Sequence, residues 1–191
     1  MSKMKFVLLF IVSMSLIQGC APVIVAGAVT GVAVAHDRRS SGAVLDDQGI
    51  EYHIGNALYG HKELYAVSHI NIISYNGVVL MTGETTTEAF KQDAEELVKQ
   101  AENLKGYHNE LVIAEPSAVS SRSNDTWITS KLKTNLTADE NIDPFFIKVV
   151  TERGVVYLMG IVSQEEAQTA VDIAVQVAGV QRVVKIFEYT D

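Results

Sequence analysis

Hydrophobic and polar positions along this chain form blocks that occur twice. Ile147 to Gly160 holds two β-branched runs around the polar turn Glu152-Arg153-Gly154, which is a β-hairpin pattern. Ile70 to Gly83 repeats it around Asn76-Gly77, a strong tight-turn dipeptide. Gly77 and Gly154, Val78-Val79 and Val155-Val156, and Gly83 and Gly160 all match at one offset of 77 residues. A hairpin duplicated at that spacing predicts two small domains in tandem.

A helical pattern precedes each hairpin. Ile50, Ile54 and Leu58, and later Ile128, Leu132 and Leu136, recur every fourth residue and give each helix one apolar face. Asp46 and Asp47 suit the start of the first helix and Gly60 its end. Asn124 or Asp125 is the expected N-cap of the second. Beyond the hairpins, Phe90, Ala94, Leu97, Ala101 and Leu104 predict a long amphipathic helix stopped by Gly106. Ser163 with Glu166 resembles a capping box, opening a helix that Gly179 ends. Between these glycines the first helix should be about one turn the longer. Leu111 to Ile113 and Val183 to Tyr189 read as closing strands. Each half is therefore an αββαβ unit expected to fold by itself, over residues 46–114 and 124–191. Residues 115–123, with Pro116 and a run of serines, read as the linker.

The first residues break this pattern. Lys3 and Lys5 precede an apolar run, Phe6 to Ile17, too short for a comfortable membrane span. The run ends in Leu16-Ile17-Gln18-Gly19-Cys20, which resembles a lipobox. Residues 1–19 are then a lipoprotein signal peptide. The resemblance implies that Cys20 is the acylated first residue of the mature chain, with residues 20–45 as its tether. Ala21-Pro22 after the cysteine, with no Asp, resembles sorting to the outer membrane. Ala21 to Ala35 is apolar but rich in Val and Gly, which suits a lipid-proximal tether better than a spanning helix. Arg38 and Arg39, in the polar stretch that follows, are expected within reach of headgroups.

Charge narrows the function. The chain has 15 basic and 23 acidic residues, a formal net charge of −8. Removing Lys3 and Lys5 leaves 13 against 23, or −10. That balance argues against nucleic acid as a partner. The one cysteine excludes an internal disulfide framework. His53, His61 and His69 are evenly spaced, but Gly60 and the strand boundary separate them, so no metal site and no cofactor are expected. No catalytic triad pattern, paired carboxylates or P-loop appears, which argues against an enzyme.

The two helices ahead of the hairpins differ at one position. Trp127 is the only Trp. At 100° per residue it points roughly 140° from the stripe of Ile128, Leu132 and Leu136. It lies beside Lys131 and Thr134, and the matching residue of the first repeat is Gly49. An outward Trp next to Lys suits a membrane interface. Packing against the other domain or the linker is the competing reading.

The Gly-Val-Val-x-x-x-Gly pattern at 77–83 and 154–160, with its flanking helices, resembles BON domains. The opening Ser123-Asn-Asp-Thr-Trp-Ile-Thr-Ser-Lys131 and the lipobox are similar to those of dual-BON lipoproteins of Gram-negative bacteria. The resemblance implies an α+β fold of two tandem αββαβ domains, each a three-stranded mixed sheet packed against two helices. It also implies a periplasm-facing outer-membrane location, a role in envelope integrity and enrichment at division sites. By position it implies binding of anionic phospholipid, such as phosphatidylglycerol or cardiolipin, through Trp127 and its neighbours Asp125, Lys131, Lys133 and Thr134. The alternative is a periplasmic module that binds envelope-assembly proteins.

Overall fold

The computed structural model describes residues 37–191. Cys20, the expected signal peptide and the 21–35 tether lie outside the described residues. The first repeat runs α1 (Ser41–Gly60), α2 (Lys62–Val67), β1 (His69–Tyr75), β2 (Val78–Thr85), α3 (Glu88–Lys99), β3 (Gly106–Asn109) and β4 (Val112–Ile113). The second runs α4 (Val119–Ala138), a 3-10 turn (Pro144–Phe146), β5 (Ile147–Glu152), β6 (Val155–Val162), α5 (Gln164–Val175) and β7 (Arg182–Tyr189). In each sheet a central strand pairs antiparallel with its hairpin partner and parallel with the closing strand. β3 and β4 continue one register along β2, so they are two pieces of a single closing strand. The fold is the expected α+β duplication.

Several boundaries differ from the sequence expectation, each for a local reason. α1 starts at Ser41, because Ser40 caps it by accepting from the Ala43 N–H at 3.1 Å. α4 starts at Val119, so residues 119–123 are helix and not linker. Five of its Ser and Thr hydroxyls bond back inside the helix. Ser123, Thr126, Ser130, Thr134 and Thr137 each donate to the carbonyl four residues back. α3 stops at Lys99 and matches α5 at 12 residues, so the extra turn is absent. Ala101 and Leu104 still reach the core, but from the loop. The left-handed residue after α3 is Asn103 (φ 60°), the counterpart of Gly179 (φ 95°). Gly106 opens the strand instead.

Both hairpins use two-residue turns with positive φ at both central positions, Asn76-Gly77 and Arg153-Gly154. Gly83 and Gly160 are required by close approach. A Cβ on Gly83 would lie 1.9 Å from the His69 carbonyl oxygen, and one on Gly160 would lie 2.4 Å from that of Phe146.

Each repeat has its own core between sheet and helices. Ile50, Ile54, Leu58, Val79, Met81, Ala94 and Val98 form the first. Ile128, Leu132, Leu136, Val156, Leu158, Ala170 and Ala174 form the second. A third cluster joins the repeats. Tyr75 and Leu80 meet Tyr157 and Met159, flanked by Ile73, Val150, Ile161, Val184 and Ile186. The helix-free faces of the two sheets thus cover each other. This explains why β2 and β6 are apolar without alternation: both faces are buried. Each repeat thus keeps a core of its own and shares this third cluster with the other.

Candidate functional site

α4 presents three faces with different work. Ile128, Leu132 and Leu136 are buried. Asp125, three residues before the stripe, is 5 % exposed, and its carboxylate accepts from the Arg153 N–H at 2.9 Å and the Gly154 N–H at 2.8 Å. Asp47 does the same in the first repeat, accepting from Asn76 and Gly77 N–H at 2.7 Å each and from the Ser74 hydroxyl at 2.6 Å. A tight turn leaves backbone donors unpaired, and each helix supplies a buried carboxylate to take them. Asp125 is therefore not an N-cap; its carboxylate is engaged in holding the hairpin to the helix. Its signal was readable as an Asp three residues ahead of the first stripe Ile in both copies.

The outward face carries Trp127, Lys131 and Thr134, all exposed. Trp127 is 48 % exposed and belongs to none of the three apolar clusters. The Lys131 ammonium lies 5.8 Å from its ring centroid, within cation–π range. Trp127 takes no part in the apolar cluster that joins the repeats.

The third face of α4 borders a polar groove of about 510 Å³ between the repeats. Arg122, Thr126, Thr129, Ser130 and Lys133 line it from α4, and His69 and Asn71 from β1. Lys133 therefore points to the groove, apart from Trp127. At the groove floor Glu152 is 6 % exposed. Its Oε2 accepts from the Asn71 amide at 2.8 Å, while Oε1 has no hydrogen-bond partner. Burial, and then the nearby Glu84 carboxylate, push Glu152 up to about 7. Glu84 is itself fully buried and pairs with Arg153 at 3.2 Å. Burial and the neighbouring Arg122 guanidinium lower the pKa of His69. This cluster was not legible in the sequence, since its members come from both repeats.

Arg38 makes a bidentate pair with Glu166 at 2.6 and 2.8 Å and lies 3.8 Å from the Phe146 ring centroid. Arg39 pairs with Asp37 and Asp47 and stacks on Tyr75. Both arginines are committed within the chain, which corrects their expected reach to headgroups. They also tie the segment before α1 to both repeats. The three histidines are dispersed. His53 is exposed on α1, His61 caps α2 through Nδ1, and His69 lies at the groove.

The duplicated sheet-and-helix units, their clasped hairpins and the shared core define the class: the chain belongs to the BON domain family, whose pattern matches residues 46–115 and 124–191. It is a DolP-like protein, 33 % identical over 175 residues to the outer membrane lipoprotein DolP of Haemophilus influenzae, covering 92 % of this chain and 91 % of that one. It is also 34 % identical to a 21 kDa hemolysin of Actinobacillus pleuropneumoniae, over 80 % of this chain and 79 % of that one. With osmotically-inducible protein Y of Escherichia coli it shares 30 % identity, over 74 % and 72 % of the two chains.

Proposed function

We propose that this protein is a non-enzymatic, periplasm-facing outer-membrane lipoprotein that binds anionic phospholipid through the outward face of α4. In this reading Cys20 carries the acyl anchor. Trp127 enters the headgroup region and Lys131 pairs with phosphate, with Thr134 on the same exposed face. The observation that carries the reading is the exposed Trp127 with Lys131 over its ring, outside every apolar cluster of the fold. A half-exposed indole beside an ammonium combines apolar area with a polar edge, the combination favoured at membrane interfaces. Similarity to an outer membrane lipoprotein over nearly the whole chain supports the location.

Two weak attachments on one chain act together. The anchor raises the local concentration of the α4 face at the bilayer, so modest affinity per contact suffices. With Lys3 and Lys5 removed, 13 basic against 23 acidic residues leave a net charge of −10, which opposes approach to an anionic surface, so the indole must carry much of the binding. Such binding concentrates the protein where anionic lipid is rich, which fits support of envelope integrity and enrichment at division sites. Trp127 is the sole Trp, so its emission reports this face alone. Titration with phosphatidylglycerol vesicles should shift the emission to the blue and raise its intensity, and phosphatidylcholine vesicles should do so far less. An unchanged spectrum at saturating phosphatidylglycerol would refute the reading and favour a module for envelope-assembly proteins.

A further inference from the structure

We propose that the outer face of α1 is a self-association seam along which a second copy of this chain packs in parallel. Ile50, Ile54 and Leu58 bury one side of α1. Directly opposite, roughly 180° around the helix at 100° per residue, run Leu45, Gly49, Tyr52, Asn56 and Tyr59. Their spacing of 4, 3, 4, 3 is the repeat by which one helix packs on another. Leu45 is 67 % exposed, and Tyr52 and Tyr59 are each 68 % exposed. Tyr65 of α2 extends the patch, meeting Tyr59 edge-on at 5.3 Å between centroids. Space beside Gly49 and Gly55 is open, so a second backbone can approach there.

The chemistry of the seam selects its occupant. Helices that lie on membranes carry Lys and Arg on their polar face, whereas α1 has neither, and has Asp46, Asp47 and Glu51 instead. A foreign helix is normally chosen by charges flanking the seam. Here the flanking positions are Gln48 and Gly55 on one side and Asp46, His53 and Gly60 on the other. In a parallel two-fold pair these set no like charges against each other. Asn56 stands at the inner position of the repeat, where a single Asn pairs with its own copy and fixes register in two-stranded parallel helices. Gly49 would meet Gly49 one heptad earlier. The parallel sense also suits chains whose anchor, an acylated Cys20, precedes α1 in both copies. The exposed side chains of Leu45, Tyr52, Tyr59 and Tyr65 offer roughly 500 Å² per copy. Doubled, that is about the 1,000 Å² that a specific interface needs.

The test uses the full-length chain in its membrane, with single cysteines at Tyr52→Cys, Asn56→Cys and, as a control, the exposed β5 position Lys148→Cys. Mild oxidation should give a disulfide-linked species of twice the chain mass from the first two variants. It should give none from Lys148→Cys or from the unsubstituted chain, which has only Cys20. The full-length Tyr52→Glu, Tyr59→Glu double variant in detergent should halve the mass measured for the unsubstituted protein by light scattering. Absence of the Tyr52→Cys dimer, or equal linkage at Lys148→Cys, would overturn the seam. Linkage at Tyr52→Cys without linkage at Asn56→Cys would overturn the parallel arrangement. A cross-linked band of any other mass would assign the face to a different protein. Protection of Tyr52→Cys from an aqueous maleimide without any linkage would assign it to the bilayer.

Discussion

Glu152 makes the stability of the joined repeats depend on pH in a direction opposite to ordinary acid unfolding. Its carboxyl is 6 % exposed, one oxygen lacks a partner, and Glu84, with no exposed surface, faces it across the repeats. Asp125 and Arg122 of α4 also face it, the first raising and the second lowering its pKa. The net effect lifts it from 4.5 to about 7. Between these values the folded chain holds a proton that the unfolded chain has released. Stability therefore falls as pH rises through that window, and the full loss is present above about pH 7. The shift corresponds to about 3 kcal/mol. Glu152→Gln keeps a carbonyl acceptor for the Asn71 amide and removes the charge. At pH 8 the variant should melt roughly 5–10 °C above the parent, and at pH 4 the two should coincide. The side-chain hydrogen bond from Arg38 lowers Glu166, and Lys99, Asn109 and Tyr107 hold Glu95 at about 2. Those carboxylates weaken both proteins equally in acid, so the difference between the two melting curves isolates Glu152. Thermal unfolding by circular dichroism from pH 4 to 8.5 measures it. A difference that does not change with pH would refute the argument.

Other substitutions test other parts of the account. Asp125→Ala leaves the N–H groups of Arg153 and Gly154 without their acceptor and should cost about 3 kcal/mol in urea unfolding. Leu80→Ala opens the cluster between the sheets and not either repeat's own core, so it should cost about 2–4 kcal/mol by the same measurement. If Leu80→Ala were neutral, the repeats would be independent. Cys20→Ala should give an unprocessed precursor or a mislocalised chain on membrane fractionation, and normal outer-membrane fractionation would contradict acylation.

Much of the fold was legible because local pattern and tertiary role agree in most elements. The duplicated turn dipeptides, the stripes of Ile and Leu every fourth residue and the Ser163–Glu166 box each act within a few residues, and each stands where the pattern put it. What pattern alone misplaced depends on distant partners. The Ser-rich stretch before Trp127 is helical, with the Ser123 and Thr126 hydroxyls turned back to carbonyls of the same helix, which composition does not announce. Asp125 read as a helix N-cap because an Asp just ahead of an apolar stripe suits one; its partners are 28 and 29 residues away. Arg38 and Arg39 read as free cations because Glu166 and Asp47, the carboxylates that draw them onto the two repeats, are distant or buried partners that local pattern does not show. Helical geometry alone did separate Trp127 from the buried stripe, since a 140° offset leaves only solvent or a partner to face. The same geometry, extended to Lys133, shows the cations of α4 divided between the groove and the Trp127 face.

Vesicle flotation of the Trp127→Glu variant beside its parent, with the melting temperature recorded on the same samples, tests the lipid-binding face of α4 outright. An interfacial indole contributes on the order of 1–2 kcal/mol, and Lys131 roughly 1 kcal/mol at low salt. Losing the first and placing a carboxylate against anionic lipid should abolish flotation with phosphatidylglycerol vesicles. The melting temperature should move by less than about 2 °C, because the ring lies outside all three apolar clusters. Flotation that survives the substitution, or a fold that collapses with it, would contradict the account.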